Sequence, residues 1–144
     1  NLYFHGTPGL GKTFLSACIA RAVSEQGRSV VYDTAGNIFA QFEAVKFRRD
    51  EDDVPSADVE RYLDCDLLIL DDLGTEFLNQ FVSSSLYNLI NTRLLQNKPT
   101  IISTNLLAAD MGKRYSERLV SRLYGGYHFL NFVGKDVRLQ SLNR

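Results

Sequence analysis

Apolar positions along this chain follow two periods, and the two alternate. Leu2-Tyr3-Phe4 is a short apolar run that predicts a strand. Leu15, Cys18, Ile19, Ala22 and Val23 recur at helical spacing and predict an amphipathic helix with those residues inward, ended at Gly27. Val30-Val31-Tyr32 predicts a second strand. Residues 36–49, with Ile38, Phe39, Phe42, Val45 and Phe47 apolar, predict a helix, and residues 50–56 a polar loop around Pro55. A short helix fits 58–63. Leu67-Leu68-Ile69-Leu70 is apolar without interruption, the pattern of a strand buried on both faces, and Gly74 breaks it. A long helix over 76–96 carries a core stripe of Val82, Leu86, Leu89 and Ile90, and Asn97-Lys98-Pro99 stops it. Ile101-Ile102, flanked by Thr100 and Ser103, predicts another buried strand. Two shorter helices fit 107–115 and 117–124, Gly125-Gly126 reads as a break, and 128–132 as a last strand. No internal repeat is visible. Strands alternating with helices imply an α/β fold, a parallel sheet with helices on both faces. In such sheets ligands sit at the carboxyl ends of the strands.

Composition narrows this picture rather than changing it. The 144 residues make one domain, 44% hydrophobic and 23% charged, within the ordinary range for a globular chain. The formal net charge of −1 gives no global signal for nucleic acid. The charge is unevenly spread, however. Residues 113–144 carry seven Lys/Arg against Glu117 and Asp136, a net of +5, and residues 50–66 carry eight acids against Arg61, a net of −7. The acidic run reads as a solvated loop. Cys18 and Cys65 lack metal-ligand spacing and read as small buried residues of a reducing, cytoplasmic compartment. No apolar run approaches 18 residues and no signal peptide is visible. A chain that opens inside its first strand is expected to have had residues upstream.

Chemistry enters between the first strand and the first helix. Gly6-Thr7-Pro8-Gly9-Leu10-Gly11-Lys12-Thr13 fits G-x-x-x-x-G-K-[ST], the phosphate-binding loop. Its glycines let successive backbone N–H groups converge on one anion. Pro8 has no N–H, so the donors come from about Gly9 onward. Lys12 reaches the β/γ-phosphates of ATP or ADP, and the Thr13 hydroxyl holds Mg²⁺. Asp71-Asp72 closes the buried strand. Asp71 fits a Mg²⁺ ligand, direct or through water, and Asp72 a base that orients the attacking water. Asn105 ends the next buried strand; it suits a hydrogen bond to that water or to the γ-phosphate, or alternatively a helix cap. Arg118 and Arg122 share one helix face. They suit a phosphate held by a neighbouring subunit, or alternatively open solvent.

These elements together resemble AAA+ ATPases of the initiator type, and more narrowly replicative helicase loaders of the DnaC/DnaI type, with IstB-like ATP-binding proteins as close relatives. The matching stretches are NLYFHGTPGLGKTFL, CDLLILDDLGTE, NTRLLQNKPTIISTNL, YSERLVSRLYGGY and FVGKDVRLQ, in the family's order. The resemblance implies a P-loop NTPase core with a five-stranded parallel sheet of order 5-1-4-3-2. It implies Gly6–Thr13 as Walker A, Asp71 and Asp72 as Walker B and Asn105 as sensor 1. Arg122 becomes the arginine finger with Arg118 one turn before, and Arg138 a sensor-2-like contact to nucleotide. It also implies self-association through the finger interface.

The family carries an extra helical element after the second strand, used on single-stranded DNA. Here that stretch is 36–49. Lys46-Phe47-Arg48-Arg49 combines an aromatic ring with three cations, the chemistry of base stacking and phosphate contact. Phe77 and Phe81 add stacking surface, or else pack into the core. The sequence departs from the family in three ways. Asp72 stands where many members have Glu, one methylene longer, so hydrolysis is expected to be slow. No helical lid is expected after residue 144. The domain through which loaders grip a replicative hexameric helicase precedes the first strand and is not in this chain. The expected activity is Mg²⁺-dependent ATP hydrolysis in a DNA replication protein. An IstB-type transposition helper, a small-molecule P-loop kinase and a nucleotide-binding adaptor without hydrolysis are the alternatives.

Overall fold

In the computed structural model, which describes residues 1–47 and 57–140, strands and helices alternate as the pattern predicts. The elements are β1 (Leu2–His5), α1 (Lys12–Glu25), β2 (Val30–Thr34), α2 (Ala35–Phe47), α3 (Ala57–Asp64) and β3 (Leu67–Leu73). There follow α4 (Gln80–Leu95), β4 (Thr100–Thr104), α5 (Ala108–Arg114), α6 (Glu117–Gly126), β5 (His128–Asn131) and α7 (Val137–Gln140). The five strands form one sheet of order β2-β3-β4-β1-β5, every neighbouring pair parallel. This is the 5-1-4-3-2 order of the AAA+ core. The strand that carries the two aspartates is thus next but one to the strand that feeds the glycine loop, with β4 between them.

The sheet divides two unequal cores. The larger lies under α2 to α6 and includes Tyr3, Ile38, Phe39, Leu68, Leu70, Leu86, Ile102 and Leu123. The smaller lies under α1 and is built on Phe4, Leu67, Ile69 and Ile101. Side chains of β3 alternate between the two, which is why its sequence is continuously apolar. Fully burying Leu68, Ile69 and Leu70 is worth roughly 1.5–3 kcal/mol each.

Four details depart from the sequence reading. The inward face of α1 is Lys12, Ser16, Ile19, Ala20 and Val23, whereas Leu15, Cys18 and Ala22 face outward. The stripe is rotated because the glycine loop fixes how α1 leaves β1, and Lys12 must turn in. Cys18 is therefore exposed, and only Cys65 is the buried thiol expected of both. Helix α4 starts at Gln80 rather than 76, with Asn79 Oδ1 accepting the Val82 N–H at 2.8 Å as its cap. Residues 74–79 form a loop instead, because Glu76 turns inward. Strand β3 runs on past Leu70 through both aspartates. Gly125-Gly126 does not break α6, which runs through it. A Cβ on Gly126 would stand 2.6 Å from Leu94 Cδ2, so the glycine serves close packing of α6 on α4.

Among the described residues no helix is long and apolar enough to cross a membrane. Arg48 and Arg49, the polar loop and the last four residues lie outside the described residues.

Candidate functional site

The glycine loop lies between the end of β1 and the start of α1, as strand–loop–helix order requires. Gly6, Gly9 and Gly11 have φ of 149°, 78° and 89°, values that L side chains rarely adopt, so the turn needs glycine. Gly11 is the N-cap of α1, and the helix start directs its unpaired N–H groups toward the loop. Lys12 is buried, and its Nζ donates to the carbonyls of Gly6 (2.7 Å) and Thr7 (2.8 Å). Burial lowers the pKa of Lys12, while the charges of Asp72 and Asp71 oppose that shift.

Asp71 is 4% exposed yet fully partnered. Thr13 Oγ1 donates to its Oδ2 at 3.1 Å, with Oδ1 at 3.4 Å. Tyr32 Oη donates to Oδ2 at 2.7 Å, the Asp72 N–H to Oδ1 at 3.0 Å, and Ser103 Oγ also to Oδ1. The donors come from α1, β2, β3 and β4, so four elements converge on one carboxylate. Successive strand residues normally face opposite sides of the sheet. Here the β3–β4 register shifts between Leu70 and Leu73, and Asp72 takes φ 54°. This bulge lets the charges of both carboxylates act on Lys12. Asp72 is half-buried, and desolvation raises its pKa, as does the charge of Asp71, while Lys12 works in the opposite direction.

A cleft of about 600 Å³ is lined by Pro8 to Phe14, Asp72, Asn105, Val137 and Arg138. That volume is in the range of small-molecule sites. Asn105 is exposed there and does not cap a helix, since Leu107 is the N-cap residue of α5. The α7 segment closes one wall. The Val137 N–H donates to the Gly9 carbonyl at 2.9 Å, and the Asp136 carboxylate lies so near Gly9 that a Cβ there would meet it at 2.0 Å. Arg138 bonds Asp136 through Nε (3.2 Å) and Nη2 (3.1 Å). The cleft thus collects the glycine loop, Lys12, Thr13, Asp72, Asn105 and Arg138, and Asp71 joins it through Thr13. Hydroxyl and carboxylate oxygens on a helix N-terminus are the hard donor set that suits Mg²⁺ beside a phosphate.

Arg118 and Arg122 do not line this cleft. They sit with Tyr87, Glu117 and Ser121 around a separate surface hollow. The Arg118 guanidinium lies 4.8 Å from the Tyr87 ring centroid, and a hydrogen bond from Arg122, followed by the charge of Arg118, lowers the Tyr87 pKa. At the junction of α2 and α4, Lys46 Nζ lies 4.1 Å from the Phe81 ring centroid and 5.5 Å from that of Phe47. The two rings are 6.3 Å apart. Phe47 is 67% exposed, while Phe81 is partly buried and packs on the larger core. Phe77 is 85% exposed on the 74–79 loop and is not part of that group.

Three residues at the site escaped the sequence reading. Tyr32 and Ser103 bond Asp71, and Glu76 is a buried carboxylate behind the Asp72 turn. Glu76 accepts from the Gly74 N–H at 2.7 Å and from Tyr115 Oη, and lies 3.5 Å from Arg114. Position was a signal for Ser103 alone, next to the carboxyl end of β4; Tyr32 is the middle residue of β2 and reaches Asp71 through its length.

A family model for IstB-like ATP binding protein matches residues 1–141. The chain is 30% identical over 128 residues to the chromosomal replication initiator protein DnaA of Campylobacter concisus (strain 13826), covering 84% of this chain and 27% of that protein. It is 27% identical over 125 residues to the replicative helicase loader DnaC of Escherichia coli (strain K12), covering 83% of this chain and 48% of that one. It therefore spans about a quarter of the one relative and about half of the other. The crystal structure of the DnaC helicase loader superposes with a TM-score of 0.79 at 25% identity, over 92% of this chain and 77% of that chain. The glycine loop, the aspartate-tipped central strand and the 5-1-4-3-2 sheet belong together in an AAA+ ATP-binding domain, and this chain is a member of the IstB-like ATP binding protein family.

Proposed function

We propose that this domain hydrolyses ATP and is the motor core of a protein that places a replicative hexameric helicase on single-stranded DNA. The observation that carries the hydrolytic reading is the convergence of Lys12, Thr13, Asp72 and Asn105 on one cleft, with Asp71 tied to Thr13. Backbone N–H groups from Gly9 onward and the Lys12 ammonium take the phosphates. Thr13 and Asp71 hold Mg²⁺, which offsets phosphate charge when bound. Asp72 orients a water for in-line attack on the γ-phosphorus. The water oxygen bonds to phosphorus, the bond to the β–γ bridging oxygen breaks, and ADP and phosphate leave. Asp72 accepts the water's proton, and Asn105 holds the water or the γ-phosphate in line. A carboxylate one methylene shorter than Glu reaches less far, so turnover is slow. Arg138 leaves Asp136 for the nucleotide.

Arg118 and Arg122 lie outside the cleft, so any contact with a γ-phosphate is made to a second copy. Mixing Arg122→Ala chains with Asp72→Asn chains therefore restores part of the lost ATPase, because a mixed interface pairs an intact finger with an intact base. No recovery in a mixture shown to co-assemble rejects the finger role. Lys46 and Phe47, with Phe81, Arg48 and Arg49, form the single-stranded DNA contact, and Phe77 offers a separate exposed ring on the 74–79 loop. Loss of the Phe47 ring is expected to cost about 1–3 kcal/mol of oligonucleotide binding, read by fluorescence anisotropy with a non-hydrolysable ATP analogue. Equal affinity in Phe47→Ala rejects that contact.

Similarity to the DnaC loader supports the replication reading, and the family match supports a second one, an IstB-type helper of transposition. Co-purification of the full-length protein with the replicative helicase or with a transposase from the same source distinguishes them.

A further inference from the structure

Tyr32 is the one donor to Asp71 that comes from the sheet's edge. Strands β2 and β3 pair with Tyr32 opposite Ile69 and Thr34 opposite Asp71. Tyr32 therefore stands two residues back along the neighbouring strand, and its long side chain leans forward to the carboxylate. Its hydroxyl donates to Asp71 Oδ2 at 2.7 Å and lies 3.5 Å from the Thr13 carbonyl oxygen.

An aspartate carboxylate rotates freely about χ2 unless something holds it, because that torsion has broad wells. Each of its oxygens offers two lone-pair sites. On Asp71, Oδ1 is taken by Ser103 and the Asp72 N–H. On Oδ2, Tyr32 takes one site and Thr13 the other. Ser103 on β4 and Tyr32 on β2 thus grip the carboxylate from opposite flanks. The one acceptor direction that neither flank holds is the one bonded to the Thr13 hydroxyl.

We infer that Tyr32 is a positioning residue for the divalent cation: its hydroxyl fixes the rotation of Asp71 so that Oδ2 faces the cation held with Thr13. Partners that orient a metal ligand commonly contribute 10–100-fold in affinity. Tyr32 is half exposed, so the effect belongs at the lower end.

This inference rests on the nucleotide-binding reading of the cleft, and its test keeps the two apart. Fluorescent mant-ATP is bound to the whole chain in EDTA and then across a Mg²⁺ titration, for wild type, Tyr32→Phe and Ser103→Ala. Tyr32→Phe keeps the ring on an edge strand, and a melting curve checks its fold. The expected result is unchanged affinity in EDTA and a Mg²⁺ midpoint raised about tenfold. Ser103→Ala moves the midpoint in the same direction. A residue that only braced the strand would change the melting curve and leave the midpoint alone. An unaltered midpoint in Tyr32→Phe, with wild type responding to Mg²⁺, overturns this inference only. A wild-type chain that binds no nucleotide overturns the reading of the cleft and this inference with it.

Discussion

The two ends of the one parallel sheet treat buried cations in opposite ways. At the amino ends of β3 and β4, Arg93 is 0% exposed and forms no ion pair among the described residues. Its Nη1 reaches the carbonyls of Tyr62 (2.9 Å), Leu63 (3.0 Å) and Cys65 (3.1 Å). Nη2 donates to the Pro99 carbonyl (2.8 Å), and Nε to Thr100 Oγ1 (2.9 Å). The cation caps the end of α3, where helix carbonyls lack partners and the dipole favours positive charge. Lys98 adds to this by donating to Leu63 O at 3.0 Å. At the carboxyl ends, Lys12 bonds two carbonyls of a loop that is itself one wall of an open cleft. Arg93 is fully buried, and each of its three nitrogens bonds a protein acceptor. Lys12 faces a space of nucleotide size with two carboxylates nearby. Burial alone does not tell a structural cation from a chemical one; what matters is whether its donors border an opening.

That contrast is broken most severely by Arg93→Met. Removing the guanidinium takes a charged donor from four carbonyls, of which Leu63 keeps Lys98 and Pro99 keeps the Leu68 N–H, and the expected loss is on the order of 3–5 kcal/mol of folding stability. Denaturant unfolding measures it, and the molecules that remain folded should bind nucleotide as wild type does. Altered nucleotide affinity in that folded fraction would merge the two ends into one functional unit.

Next in size is Asp72→Asn, expected to lower ATP turnover by about 10²–10³ while nucleotide binding persists, as for loss of a general base. A wild-type pH profile sharpens the point. The base must be ionised, and burial together with Asp71 raises its pKa. Turnover should therefore fall as pH falls through a value above the ordinary aspartate range. In Asp72→Asn the residual rate should lose that acid limb. A retained limb assigns the titration to another group.

Smallest of the three is Lys12→Ala, expected to cost about 100-fold in ATP affinity, near 2.7 kcal/mol. Its effect on the unfolding midpoint should be slight, because Lys12 bonds a surface loop and caps no helix. Titration calorimetry and a melting curve on one preparation read both. A Lys12→Ala chain that unfolds like Arg93→Met would erase the distinction between the two cations.

Much of this protein was written locally in its sequence. The glycine loop, the helix that follows it and the apolar run at Leu67–Leu70 can be read within windows of a few residues, because turn chemistry and side-chain period act over that range. Alternation of the two periods then implied the parallel sheet, and the resemblance implied its order. Tertiary structure decided what depended on distant partners. The helical spacing of α1 could not say which of two adjacent stripes faces inward, since the exit from the glycine loop sets that rotation. The start of α4 moved from 76 to 80 because Glu76 found Tyr115, 39 positions away. Gly126 is a packing contact to Leu94 rather than a break. Tyr32 meets Asp71 across 39 residues, and Arg93 meets Tyr62 across 31. Periodicity reports which residue types can face water, one element at a time. Which polar groups meet in the interior depends on how the elements are stacked, and a buried hydrogen bond between distant residues leaves no periodic mark in the sequence.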